Sequence, residues 1–270
     1  MCVTCGCSAS APRSQPDAPA RPRAAAGRPA GPHPKNPSVH EQGADARLLR
    51  LEHDLLHGNE LVAGRNRAWL EHRGILALNL MSSPGSGKTT LLERTIADTR
   101  ERFDISVIQG DQATDNDAER IRRAGARAVQ INTGKGCHLD ATMVARALGE
   151  LCPGRGSVVA IENVGNLVCP ALFALGERTR VAILSVTEGA DKPLKYPYLF
   201  RGSDVVVFNK ADLLPYVDFD LDIARRFVRD VNPDAVTFVV SAKTGEGMDA
   251  FYEHLARSLT PARSLAEETV

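Results

Sequence analysis

From Ile75 onward the chain alternates short, almost wholly apolar runs with stretches in which apolar residues recur every three or four positions. The apolar runs fall at 75–81, 105–108, 128–131, 157–161, 181–186, 204–208 and 236–240. Near-continuous Val/Ile/Leu runs of this length read as strands buried on both faces. Helical spacing follows at 91–97, around 118–121, and at 139–151, 223–231 and 248–259. The predicted fold class is α/β, with a mostly parallel sheet and helices on both faces. Ligands of such sheets bind beyond the carboxyl ends of the strands.

The first part of the chain is patterned differently. Residues 8 to about 43 are rich in Ala, Pro, Arg and Gly and lack the large apolar residues a core needs, which predicts a disordered, semi-extended tether. In 44–72, Leu48, Leu49, Leu51, Leu55, Leu56, Leu61, Trp69 and Leu70 return at broadly helical spacing. Gly58 and Gly64 mark where this stretch would break into two helices packed against the main domain. The expected organisation is a cysteine head (1–7) and tether within 1–43, a helical segment at 44–72, the main domain at 73–263 and a tail at 264–270.

The strand at 75–81 leads into Ser82-Ser83-Pro84-Gly85-Ser86-Gly87-Lys88-Thr89-Thr90 and then a helical pattern. Strand, glycine-rich turn, Lys-Thr and helix have the layout of a phosphate-binding loop rather than of a chance glycine-rich turn, which makes the predicted fold a P-loop NTPase. Gly85 and Gly87 permit backbone conformations that turn successive N–H groups inward, and the helix dipole adds positive potential. Lys88 would reach the β- and γ-phosphates and the Thr89 hydroxyl would ligate Mg2+, with Ser86 and Thr90 completing the cradle. The usual pattern begins with Gly six residues before the Lys; here that position is Ser82.

Two further strand ends specify the base. The strand at 204–208 runs into Asn209-Lys210-Ala211-Asp212, and the strand at 236–240 into Ser241-Ala242-Lys243. The Asp212 carboxylate can accept both N1–H and the 2-amino group of guanine, a pair adenine lacks. A carboxylate left unpaired there disfavours ATP. Asn209 would contact the other edge of the base, Lys210 lie along its face, and the Ala242 N–H donate to the guanine oxygen. Asp111 and Glu162 end two more strands. Asp111 is the expected Mg2+ residue, and Glu162 would hold a Mg2+ water or orient the attacking one. No glutamine base or arginine finger can be assigned, which predicts a slow intrinsic GTPase.

Lys+Arg 33 balances Asp+Glu 33, so the charge gives no argument for nucleic acid or a polybasic membrane surface. No apolar run approaches the ~20 residues of a membrane span, and the N-terminus lacks a signal-peptide pattern. These features predict a cytoplasmic protein, in which thiols serve metal or redox chemistry rather than disulfides. Three of the six cysteines are Cys2, Cys5 and Cys7. With the amine freed by removal of Met1 they offer four N/S donors, a set suited to Ni(II). A redox Cys-x-x-Cys and a tail with incidental thiols are the other readings. Cys137, His138 and Cys169 supply two thiolates and an imidazole, suited to Zn2+ or Ni2+ with one further ligand from water or a second subunit. Ordinary buried cysteines beside a chance histidine are the alternative. Cys152 reads as a core or loop thiol, and His53 and His57, four apart, as a solvated pair.

Taken together the motifs resemble the HypB family, the SIMIBI-class GTPases that help insert nickel into nickel–iron hydrogenase. The match covers Cys2-Val3-Thr4-Cys5-Gly6-Cys7, the loop 82–90, Gly110-Asp111-Gln112, 132–140, 162–170, 191–197 and 209–215, essentially everything except the tether. The resemblance implies a homodimer formed when GTP is bound and a high-affinity nickel site at Cys2, Cys5 and Cys7. It implies a weaker nickel or zinc site at Cys137, His138 and Cys169 near the dimer interface. The implied partners are a HypA-like nickel protein, a SlyD-like chaperone and the hydrogenase large-subunit precursor. The expected function is a GTP-driven nickel metallochaperone. Its rivals are a urease-type accessory GTPase, a small-molecule kinase using the same loop, and a nickel-storage protein with structural GTP.

Overall fold

A computed structural model describes residues 39–111, 116–134 and 136–259, with side chains from residue 53 onward except that of 116. Contacts divide the chain into Met1–Asp45 and Ala46–Val270. Cys2, Cys5, Cys7, the tether as far as residue 38, Gln112, Lys135 and the tail at 264–270 lie outside the described residues.

The described residues open with α1 (Val39–His72) and then alternate strand and helix. The first half is β1 (Leu76–Ser82), α2 (Lys88–Thr99), β2 (Ile105–Asp111), α3 (Asn116–Arg123), β3 (Arg127–Asn132), α4 (Ala141–Leu151) and β4 (Val158–Glu162). It continues with α5 (Cys169–Leu172), β5 (Thr179–Ser185), α6 (Lys192–Lys195), α7 (Pro197–Arg201) and β6 (Val205–Asn209). A 3-10 turn at Ala211–Tyr216, α8 (Leu221–Val231), β7 (Val236–Val239) and α9 (Met248–Leu259) complete it.

The strands form one seven-stranded sheet in the order β3-β2-β4-β1-β5-β6-β7, and every pairing is parallel. β1 is buried throughout, as are β4 and β6, whereas the edge strands β3 and β7 are half exposed. Burial on both faces explains why the inner strands are apolar runs rather than alternating ones. Leu76, Leu78 and Leu80 of β1 pack with Leu91 and Ile96 of α2 and Phe251 and Leu255 of α9. Ala77, on the opposite face, packs with Leu70 of α1 and Val144 and Leu148 of α4. α7 and α8 cover the same face further along, around Phe200, Phe208 and Val228.

The expected break at Gly58 and Gly64 does not occur: α1 is one helix, and it starts before residue 44. Both glycines face open space, where an added Cβ would meet nothing within 4 Å. Each costs roughly 1 kcal/mol of helix propensity, which the buried inner face at Ala63, Asn66 and Leu70 offsets. The expected packing is partial, since Leu55 and Leu61 are more than half exposed. From Ala46 this helix belongs to the unit that carries the sheet.

Candidate nucleotide site and cysteine–histidine cluster

The order of the strands places the phosphate-binding loop. β1 lies between β4 and β5; the chain passes from β1 to β2 on the β4 side, and the later connection from β4 to β5 crosses to the other side, so a crevice opens at the carboxyl end of β1. The crevice has a volume of ≈ 580 Å³ and is lined by Gly85, Gly87, Lys88, Thr89, Asp111 and Glu162, among others. This is ample for a nucleotide's phosphates. Gly87 has φ +92, and a Cβ there would lie 2.6 Å from Asn209 Nδ2, so side chains are disfavoured twice over.

Each acidic neighbour of the loop comes from an adjacent strand end. On the β4 side, Thr89 Oγ1 donates to Glu162 Oε1 at 2.7 Å and Gln109 Nε2 to Glu162 Oε2 at 3.4 Å. Burial pushes the Glu162 carboxyl up to about 7, although the Thr89 hydrogen bond and the Lys88 charge pull it down. Gln109 Oε1 is buried without a partner beside Glu162, an acceptor that fits a water on Mg2+. Lys88 Nζ donates to Ser82 Oγ at 2.8 Å. Burial lowers the Lys88 pKa, opposed by Glu162, Asp117 and Glu188. Asp111 ends β2 at the rim, and its carbonyl accepts from Thr133 N–H. Arg120 lines the same crevice, but its guanidinium is engaged by Glu93 at 2.6 Å and Asp117 at 3.0 Å, and reaches Thr90 Oγ1 at 3.3 Å.

On the β5 side stands a residue that sequence reasoning missed. Glu188 accepts from Ser83 Oγ and Ser86 Oγ, both at 2.7 Å, and from the Ser185 N–H at 3.2 Å, with Lys192 Nζ 3.3 Å away. Burial alone would raise this carboxyl, but those hydrogen bonds hold it below its ordinary value. It fixes the loop from the side opposite Glu162.

At the base end, Asp212 sits in the first turn after Lys210, whose backbone is left-handed at φ 63. Ser241 Oγ donates to Asp212 Oδ1 at 2.6 Å and fixes the carboxylate. Lys210 Nζ donates to the Gly85 carbonyl at 2.7 Å, so its stem crosses the loop. Asn209 ties the base end to the phosphate loop. It is buried, donates to the Ser86 carbonyl at 3.0 Å and accepts from the Ala242 N–H at 3.2 Å. The Ala242 N–H, expected to meet the guanine oxygen, is thus turned toward Asn209. Lys243 is exposed next to it.

Cys137, His138 and Cys169 are brought together: their ligand atoms all lie within 4.8 Å of one another. Among the described residues no other three side chains of His, Cys, Asp or Glu converge in this way. Cys137 Sγ is 3.6 Å from His138 Nδ1, and the His138 ring stacks on Phe173 at 3.9 Å between centroids. Burial lowers the His138 pKa, which favours the neutral imidazole that binds metal. A thiol hydrogen bond with Cys137, together with burial, raises the Cys169 pKa. Two thiols and a neutral imidazole fit a soft or borderline cation such as Ni2+. His53 and His57 stack on the exposed side of α1, 6.3 Å between centroids, and Cys152 is exposed at the end of α4. Neither joins the cluster.

The two sites are joined by side-chain chemistry. Asn163, next to Glu162, accepts at Oδ1 from the Leu139 N–H at 3.2 Å and the Val164 N–H at 3.0 Å. Its Nδ2 donates to Asn79 Oδ1 on β1 at 3.3 Å. Leu139, adjacent to His138, packs so closely on Gly110 that a Cβ there would lie 2.8 Å from it. Gly165, on the path to Cys169, approaches Pro84 of the phosphate loop equally closely, with 3.0 Å from an added Cβ to the Pro84 Cα.

Residues 76–239 match the nucleotide-binding domain described as CobW/HypB/UreG. The hydrogenase maturation factor HypB of Rhizobium leguminosarum bv. viciae is 57% identical over 218 residues, 80% of this chain and 73% of that protein. The chain belongs to the HypB family. The Escherichia coli K12 HypB is 52% identical over 209 residues, 77% of this chain and 72% of that protein. Two HypB crystal structures share the architecture. That from Helicobacter pylori in complex with nickel has a TM-score of 0.70 at 38% identity, covering 75% of this chain and 95% of that one. That from Archaeoglobus fulgidus has a TM-score of 0.71 at 40% identity, covering 76% and 100%. Ser82, at odds with the general phosphate-loop pattern, sits inside this matched region.

The Glu162 environment has a consequence that pH reveals. Its pKa of about 7 lies above the ordinary carboxyl value, so the folded protein without ligand favours the protonated form. That contribution to stability is fully present below the ordinary carboxyl pKa and is lost as pH rises through about 7. Only the carboxylate form would hold Mg2+ or its waters. Mg-GTP affinity is therefore expected to fall as pH drops below about 7, and Glu162→Gln to flatten the profile; binding titrations between about pH 6 and about pH 8 check this.

Proposed function

We propose that this chain hydrolyses GTP to GDP and phosphate slowly and uses the cycle to control nickel held at Cys137, His138 and Cys169. Membership of the HypB family makes it a P-loop GTPase and a hydrogenase maturation factor. The nickel complex of the H. pylori relative supports nickel as the cargo. The observation that carries the reading is the Asn163 side chain. It bonds the backbone beside His138 while its neighbour Glu162 bonds Thr89 of the phosphate loop.

In this reading the N–H groups of the loop and Lys88 hold the phosphates, and Asp212 selects guanine. Thr89, Asp111 and Glu162 hold Mg2+ directly or through water; when bound, Mg2+ neutralises charge on the β- and γ-phosphates. Arg120 is the arginine lining the crevice and is already paired to Glu93 and Asp117, which supports slow intrinsic turnover. Cys2, Cys5 and Cys7 would form a second nickel site. GTP-dependent pairing of two copies would bring the clusters near each other, with Zn2+ as the competing ion. Nickel would pass among a HypA-like protein, a SlyD-like chaperone and the hydrogenase large-subunit precursor in the cytoplasm. No helix among the described residues is long and apolar enough to cross a membrane.

The test is complementation. In a host lacking its own HypB, the full chain is expected to restore hydrogenase activity without added nickel, and Cys169→Ala to lose that rescue. Rescue of urease but not of hydrogenase would overturn the assignment in favour of a urease-type accessory GTPase.

A further inference from the structure

The two segments that carry the cluster share a neighbour outside it. Asn59 of α1 accepts at Oδ1 from the Ala141 N–H at 2.8 Å and donates through Nδ2 to the Ala174 carbonyl at 2.8 Å. Two turns later Asn66 donates to the Ala141 carbonyl at 2.8 Å and to the Leu175 carbonyl at 2.9 Å. Ala141 follows His138 by three residues, and Ala174 follows Cys169 by five. Each asparagine therefore bonds to both ligand-bearing segments.

The packing between the two asparagines is equally close. Ala63, fully buried, clusters with Ala141 and Ala174. Gly176 has φ +99, and a Cβ there would lie 2.5 Å from Asn66 Cβ. Phe173, next to Ala174, stacks on the His138 ring. Residues 59, 63 and 66 share one helix face by their spacing. Asparagine is a poor helix former, and a buried amide without partners is costly. Apolar residues would cover the same surface, but without bonds that fix the two segments in direction and distance. Thiolate–metal bonds have narrow length limits, so the separation of these segments decides how well the ligands converge.

We propose that Asn59 and Asn66 are positioning residues that make α1 a strut for the cluster. They hold the 137–141 and 169–175 segments at the separation at which Cys137, His138 and Cys169 can share one ion. The inference rests on the reading of this cluster as a metal site. Outer groups of this kind typically change metal affinity about 10- to 100-fold when removed.

The experiment uses the full-length chain with Cys2, Cys5 and Cys7 changed to Ser, titrated with nickel salt against a chromophoric chelator. The thiolate-to-nickel absorption is recorded alongside. Asn66→Ala and the milder Asn59→Ala are each expected to weaken nickel binding by about 10-fold or more and to shift or weaken the absorption, with the KM for GTP within about two-fold of the parent. Unchanged nickel affinity and absorption in both variants would overturn the strut, provided that Cys169→Ala abolishes binding in the parent. A parent whose nickel binding survives Cys169→Ala overturns the metal reading itself, and the strut with it. Equal losses of nickel and GTP binding would mean that the asparagines only secure the fold, which also overturns it.

Discussion

Asp212→Asn is expected to weaken GTP binding by at least about 100-fold while leaving the already weak binding of ATP unchanged. The carboxylate presents two acceptors to the two adjacent donors of guanine. The amide replaces one acceptor with an NH2 that faces a donor, so one hydrogen bond becomes a repulsion. Losing a charge-assisted bond and leaving a donor unpaired together cost about 3 kcal/mol or more. Asn in this place would not simply rotate away, because Ser241 Oγ holds the group at 2.6 Å and the 3-10 turn fixes its backbone. A base with a carbonyl where guanine has its 2-amino group should regain affinity. Competition binding with GTP, ATP and a xanthine nucleotide distinguishes lost recognition from lost folding, since only the former spares the xanthine ligand.

Lys88→Ala is expected to lower GTP turnover by about 100- to 1,000-fold, measured as phosphate release at saturating Mg-GTP. Lys88 is buried at the floor of the loop and bonded to Ser82. Burial favours its neutral form, and Glu162, Asp117 and Glu188 keep the cation in place. Removing that cation takes away a contact to the phosphates and also leaves three carboxyl groups around an anionic ligand. The second effect makes this substitution harsher than the loss of one hydrogen bond. Turnover that persisted in Lys88→Ala would mean hydrolysis by another group or a contaminating enzyme.

Much of this architecture was legible in the chain. Each inner strand is an unbroken apolar run because it is covered on both faces, and each nucleotide motif sits at a strand end with its own local signature. Cys137, His138 and Cys169 were legible as a set by residue type, and the structure brings their ligand atoms together. What stayed hidden depends on which strands become neighbours. Glu188 lies three residues beyond β5, and nothing local marks it; its role exists because β5 pairs with β1. Gln109 meets Glu162 because β2 pairs with β4. Asn209 carries a motif that suggests contact with the base; its bond to the Ser86 carbonyl depends on the close approach of Gly87 and has no local signature. Gly58 and Gly64 look like helix breakers, but tertiary packing of the opposite face keeps α1 continuous. Asn59 and Asn66 read as ordinary polar positions until the segments they hold are seen together.

In the proposed function nucleotide state and metal hold on this chain are coupled, and linkage makes the coupling measurable from either side. The deciding measurement is the nickel affinity of the Cys137, His138 and Cys169 cluster in the full-length chain with Cys2, Cys5 and Cys7 changed to Ser. It is taken once with GDP and once with a non-hydrolysable GTP analogue. The two affinities are expected to differ by about 10-fold or more, with nickel changing the relative affinity for the two nucleotides by the same factor. Equal nickel affinities in the two nucleotide states, with binding still lost in Cys169→Ala, would contradict it.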